Sequence, residues 1–198
     1  MYDTDCLSLF GTTSFNLVWE SVCSEIMDNQ LEARLGTIRL PTSLLAKYDR
    51  SSKLIDLIEK PFWTRTGMSA SDTLIPDLVS IAQVDGIWQF IIFDAKYYTA
   101  RLDYGLPPKG QPGIESITKQ YLYQLAFQRF ITDHGFSDIR NCFLLPSESD
   151  KIEDRGTVVL NMLKNLGLQS IQVRLLPARL AFDLYIAGKK LDLKSLAL

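Results

Sequence analysis

The chain has 198 residues, of which 46% are hydrophobic and 22% charged, enough apolar side chain to close a core and too much for wholesale disorder. Lys and Arg total 21 against 23 Asp and Glu, a formal charge of −2; that argues against a protein that grips nucleic acid by bulk charge alone, though not against a local basic groove. Three scattered cysteines (Cys6, Cys23, Cys142) and a single histidine, His134, argue against a disulfide scaffold, a zinc or iron–sulfur site and any centre that needs several imidazoles.

In chain order, Phe15, Val18, Trp19, Val22 and Ile26 recur at three- and four-residue steps and predict a helix from about Ser14 to Leu35, with Thr13 or Ser14 as its N-cap and Gly36 as its stop. A short helix is expected over Ser52–Glu59, followed by Pro61-Phe62-Trp63. Two apolar β-rich runs, Thr73–Ala82 and Ile87–Tyr98, flank Asp85-Gly86, the strongest short hairpin signal. The second run is apolar on both faces, as in a central strand. Residues 99–113 carry six Gly and Pro and read as a long, functional or disordered loop. A strong helix follows over Ile114–Asp133, closed by Gly135. Then come a strand over Asn141–Pro146, a helix or strand over Val158–Asn165 stopped by Gly167, a strand over Ser170–Leu176 and a helix over Ala178–Ala187. The order predicts one α/β domain with a mixed β-sheet flanked by α-helices. No apolar run reaches the ~18 residues of a membrane span, and the acidic N-terminus lacks the pattern of a secretion signal, so a cytoplasmic protein with no membrane partner is expected.

The chemistry concentrates in the predicted hairpin. Asp94 and Lys96 lie two apart on a strand and project to one face, at the end of an otherwise buried run. A charge there needs a partner. Counting outward from an Asp85-Gly86 turn sets Asp77 opposite Asp94, with Cβ atoms about 4.5–5.5 Å apart, and leaves Lys96 beside the pair. Two carboxylates so placed repel, and a divalent cation such as Mg²⁺ turns the repulsion into attraction. An ordinary ion pair at a strand end is the competing reading. Glu20 sits beside the apolar stripe of the first helix, where an isolated Glu more often faces solvent. Gln120, Tyr123 and Gln124 share a helical face, which can equally be a solvated edge. His134, at a helix end, reads as a cation favoured by the helix dipole.

Pro76-Asp77 followed by Asp94-Ala95-Lys96 resembles the PD-(D/E)xK nuclease signature. The ordered set is more specific: Trp19-Glu20, Pro61-Phe62-Trp63, Asp72 to Asp77, Phe93 to Tyr98, Lys119-Gln120 with Tyr123, and Phe143 to Pro146 resemble the LlaJI-type restriction endonuclease subunit, which is similar to McrC, over about residues 14–190. The resemblance implies a restriction-endonuclease-like fold and a Mg²⁺-dependent endonuclease acting on double-stranded DNA, with Mn²⁺ as a substitute ion. It implies Asp77, Asp94, the Ala95 carbonyl and Glu20 as metal ligands, Lys96 as the group that orients water and meets developing charge, and Gln120 as the residue that positions Lys96 or water. Tyr97, Arg101, Lys109 and Lys119 are candidate DNA contacts, with core packing or solvated loop as the competing roles. The implied partner is a separate McrB-type AAA+ GTPase, since no GxxxxGK[ST] loop occurs in this sequence, and a homodimer when cutting is compatible with it. Members of this family usually carry an extra N-terminal region that engages the motor, and the resemblance implies that this chain corresponds to the C-terminal nuclease part. Two alternatives are a RecB-like repair nuclease, against which Tyr123 stands one place early, and a non-catalytic scaffold that stimulates an NTPase.

Overall fold

The computed structural model describes residues 15–198; the candidate N-caps Thr13 and Ser14, and Cys6, lie outside them. The first helix, α1, covers Phe15–Ile26 and turns Trp19, Val22, Cys23 and Ile26 inward. It stops nine residues short of the expected end. Asp28 takes a left-handed φ of 56°, and the chain then runs along the edge of the sheet. There the Asn29 Oδ1 accepts from the Val79 N–H at 3.0 Å, and the Gln30 N–H donates to the Val79 carbonyl at 2.8 Å. The apolar spacing of Leu31 and Leu35 is real, but it serves a coil packed on the other face of the sheet. Gly36 lies in a single 3₁₀ turn, Leu35–Thr37, and the helix expected at Ser52–Glu59 is another, Leu54–Leu57.

A small hairpin follows: β1, Phe62–Trp63, pairs antiparallel with β2, Met68–Ser69. The principal sheet begins with β3, Leu78–Val84, and β4, Ile87–Ala95. Their register pairs Leu78 with Phe93 and Val84 with Ile87, as counted from the turn. Asp85 and Gly86 have φ of 50° and 83°, the two left-handed residues that a two-residue hairpin turn requires. β3 starts five residues later than expected, behind Pro76, which has no N–H for a ladder. β4 ends at Ala95, so Tyr97 and Tyr98 do not continue it.

α2, Ile114–Asp133, matches its expected bounds and ends against Gly135 at φ 70°. β5, Asp138–Ser147, is followed by β6, Glu153–Val158, the short α3, Asn161–Lys164, β7, Ile171–Pro177, and α4, Ala178–Ile186. The strand order is β3-β4-β5-β7-β6. β4, β5 and β7 run parallel, and β3 and β6 are antiparallel edges. This mixed sheet flanked by helices is the expected restriction-endonuclease-like arrangement. Strand alternation sorts the core. Ile91, Phe93 and Ala95 of β4 pack with α1 and α4, while Phe90 and Ile92 pack with Phe127 and Phe130 of α2. Among the described residues no helix is long and apolar enough to cross a membrane.

His134 is fully buried. Its Nδ1 lies 2.9 Å from the Phe130 carbonyl, and its Nε2 lies 3.5 Å from the Leu45 N–H. Both ring nitrogens are engaged by backbone groups inside the fold, so the ring serves as a structural peg and is not the solvent-facing helix end that the sequence suggests. Behind the sheet, buried Arg174 of β7 donates to the carbonyls of Leu196 and Ala197 at 2.7 Å each, and to Asp154 at 2.6 Å. It ties the C-terminal turn Leu193–Leu196 and strand β6 to the centre of the sheet. Charge-assisted bonds of this kind contribute ~1.5–3 kcal/mol each. Arg174→Ala is expected to cost about 3 kcal/mol overall, read as a lower denaturant midpoint, with faster amide exchange at 193–198.

Candidate active site

The edge of β4 delivers the site. Even-numbered residues of β4 face α2, so Asp94 points there, and the β3–β4 register brings Asp77 alongside. Asp77 stands just before the ladder, and its side chain replaces a backbone partner: Oδ2 accepts from the Ala95 N–H at 2.9 Å. That bond fixes the carboxylate beside the end of β4. Lys96 turns back onto both acids, with Nζ 2.7 Å from Asp94 Oδ1 and 3.7 Å from Asp77 Oδ2. Its own N–H donates to the Leu144 carbonyl at 3.0 Å, which anchors the residue to β5. The Asp94 side chain is only 5% exposed.

The electrostatics follow from that burial. Desolvation first, then the Asp77 charge, push the Asp94 carboxyl up to about 7, with Lys96 pulling the other way. Burial pulls the Lys96 ammonium down, but Asp94, Asp77 and Glu20 outweigh it and the net direction is up. Lys96 is therefore a fixed cation. Asp94 Oδ1 is buried and has no aligned hydrogen-bond donor despite the short approach of Nζ. A site that holds two carboxylates together, with one oxygen short of a donor, suits a hard divalent cation.

Glu20, half-buried on α1, is raised by desolvation and then by Asp77, so it senses the pair. Among the described residues, however, no three His, Cys, Asp or Glu side chains converge as a ready-made cage. Gln120 is not the solvated edge that the sequence also allows. It is fully buried, and its Nε2 donates to the Ile92 carbonyl at 2.7 Å, not to Lys96. Gln124 is also buried, accepting from Asn141 Nδ2 at 2.8 Å and from the Gln169 N–H at 3.0 Å. It bolts α2 to β5. Tyr123 was left among polar neighbours by the sequence; it is buried, and desolvation followed by the charges of Asp94 and Asp77 pushes its phenol up to about 12.

The candidate DNA contacts are dispersed. Tyr97 packs its ring on Phe15 at 4.7 Å and near Trp19 at 6.5 Å. Arg101 and Lys109 pair through their backbones across the long loop, leaving exposed side chains. Lys119 is engaged with Glu115 one turn earlier.

The carboxyl of Asp94 makes metal-free stability depend on pH. Below pH ~4 an unfolded carboxyl is protonated, as is the folded one, and there is no penalty. Between pH ~4 and 7 the unfolded chain loses a proton that the folded protein keeps, so stability falls as pH rises. Asp94→Asn removes that loss. The variant is expected to gain in melting temperature over wild type above pH 7 and to lose that advantage near pH 4, measured in EDTA across the range; a gain that is flat with pH contradicts the assignment.

A model of the LlaJI restriction endonuclease family matches residues 45–178, a span that takes in Asp77, Asp94, Lys96 and Gln120 but not Glu20. The chain is 28% identical over 192 residues to the component YdjA of the type II restriction enzyme BsuMI from Bacillus subtilis (strain 168), a match covering 92% of this chain and 35% of that protein. It thus spans about a third of the length of the curated relative it matches. No solved structure matches.

Proposed function

This chain belongs to the LlaJI restriction endonuclease family, and on that premise we propose that it is a metal-dependent nuclease of a restriction system that hydrolyses phosphodiester bonds of double-stranded DNA. The observation that carries this reading is the pairing of buried Asp94 with half-buried Asp77, the Lys96 ammonium 2.7 Å from Asp94 and 3.7 Å from Asp77.

Asp77 and Asp94 would hold Mg²⁺, with the Ala95 carbonyl and Glu20 as further oxygen donors and Mn²⁺ as a substitute. The bound ion supplies a polarised phosphoryl oxygen and a more acidic water. Lys96, held protonated by the acids around it, offers its charge to the negative charge that builds on the phosphate, and is a poor proton acceptor. Glu20, with its raised pKa, is the better acceptor for a proton from the attacking water. Gln120 acts one step back: its amide braces the Ile92 carbonyl, two residues before Asp94, against α2. The repair-nuclease alternative gains nothing from Gln124, which occupies the position of that group's motif tyrosine and is spent on Asn141 and Gln169.

The relative YdjA is a component of a restriction enzyme, which supports an assembly of several chains. We assign the motor to a separate McrB-like AAA+ NTPase. A supercoiled plasmid assay, with Mg²⁺ and with or without an added McrB-like NTPase, tests the reading. Wild type is expected to nick or cut and EDTA to stop it. Asp77→Ala and Asp94→Ala should leave no measurable cutting, and Lys96→Ala should fall by about 10²–10³-fold. Absence of cutting by wild type with either ion and the motor present leaves the scaffold alternative standing.

A further inference from the structure

Pro61-Phe62-Trp63 stands out in the sequence, yet the catalytic site makes no use of it. It forms the first arm of the β1–β2 hairpin, in which Trp63 faces Met68 and Phe62 faces Ser69 across the ladder. Paired residues share a face, so Trp63 and Met68 make one apolar side and Phe62 the other. Both sides are open to solvent: Phe62, Trp63 and Met68 are 61%, 64% and 69% exposed, and every residue from 61 to 69 is exposed. A free two-stranded hairpin is marginal in water, and three large apolar side chains concentrated on it mark a contact surface.

Charge and position indicate what it meets. Lys60 stands at the start of the hairpin and Arg65 at its tip, both exposed. Among the described residues neither has a carboxylate within ion-pair distance. No acid occurs between Lys60 and Ser71; the nearest, Glu59 and Asp72, flank the neck, where Thr73 Oγ1 donates to the Glu59 carbonyl at 2.6 Å. From Met68 the chain runs directly to Asp77. Nine residues span at most ~32 Å, and Trp63 across the ladder adds ~5 Å, in all about eleven base steps of duplex at ~3.4 Å each. Aromatic and methionine side chains beside unpaired basic ones, within that reach of the acids, have the composition of a wedge that enters a base step while a cation holds the adjoining phosphate.

We propose that the β1–β2 hairpin is a second DNA contact, inserting Trp63 and Met68 at a base step within about eleven base pairs of the cleavage point and holding the flanking phosphate with Arg65. This inference rests on the nuclease reading and adds a substrate-gripping site to it.

The test uses the full chain with a fluorescein-labelled duplex, in Ca²⁺ to hold cutting back, followed by anisotropy and by tryptophan emission. DNA is expected to quench wild-type emission, and Trp63→Phe to abolish most of the quenching while keeping affinity, since a phenyl ring still inserts. Trp63→Ala should weaken binding about tenfold, and Arg65→Gln should reduce the slope of log affinity against log salt by about one. Melting temperatures of these exposed-site variants should stay at the wild-type value, which separates lost contact from lost fold. If wild type binds DNA and all three variants bind equally well, with unchanged quenching, the hairpin faces a protein partner and this inference is overturned while the nuclease reading stands. If wild type neither binds nor cuts DNA, both are overturned.

Discussion

The repulsion between Asp77 and Asp94 is the constraint on which the rest of this structure depends. Two carboxylates of like charge are brought together at the rim of a hydrophobic sheet, and one of them is nearly sealed from water. Nothing in folding favours that placement by itself. It persists because surrounding structure overrules it. The left-handed turn at Asp85-Gly86 sets the register, the Ala95 N–H takes one Asp77 oxygen, and Lys96 is held by β5 where its charge reaches both acids. The fold stores an unfavourable interaction at one spot and spreads the compensation over three strands. A site maintained at a cost of this kind is a functional candidate on physical grounds.

Much of this arrangement was legible in the sequence because it depends on counting. A two-residue turn fixes which residues oppose each other, so the Asp77–Asp94 pairing could be placed without coordinates. The bounds of α2 were legible too, between a run of Gly and Pro and the stop at Gly135. What failed was whatever depended on context. The periodicity of α1 continues through Leu31 and Leu35, yet those side chains pack from a coil, because the backbone of 29–30 is needed at the edge of β3. No strand is expected over Glu153–Val158, because β6 is a short edge strand, bulged between Asp154 and Thr157, that shows most of its side chains to solvent. Composition cannot separate such a strand from a turn.

The polar residues of α2 carry the same lesson. Gln120 and Gln124 look like a wet edge, yet both are fully buried and face the sheet. Each has found a specific partner: Gln120 the Ile92 carbonyl, Gln124 the Asn141 amide and the Gln169 N–H. Buried amides make poor glue but good locators, since a shift of the helix by one residue breaks their bonds without offering replacements. The helix is thereby indexed against β4 and β5, the two strands whose ends frame the candidate site. His134 does the same at the far end, where its buried ring is wedged between Phe130 and Leu45.

The stitching of Asn29 and Gln30 along β3 bears on how two copies can share one duplex. Val79 and Ile81 expose their outward backbone groups at that border, and the carbonyls of both, with the Val79 N–H, are already occupied from within the molecule. The opposite border, β6, is interrupted by its bulge. Neither margin therefore presents a clean row of donors and acceptors on which a neighbour could add a further strand. Were two copies to act on one duplex, as proposed, they would be joined through helices, loops or the nucleic acid itself, and the spacing between two cuts would be set by the DNA and the docking of side-chain surfaces, not by a ten-stranded sheet running through both molecules.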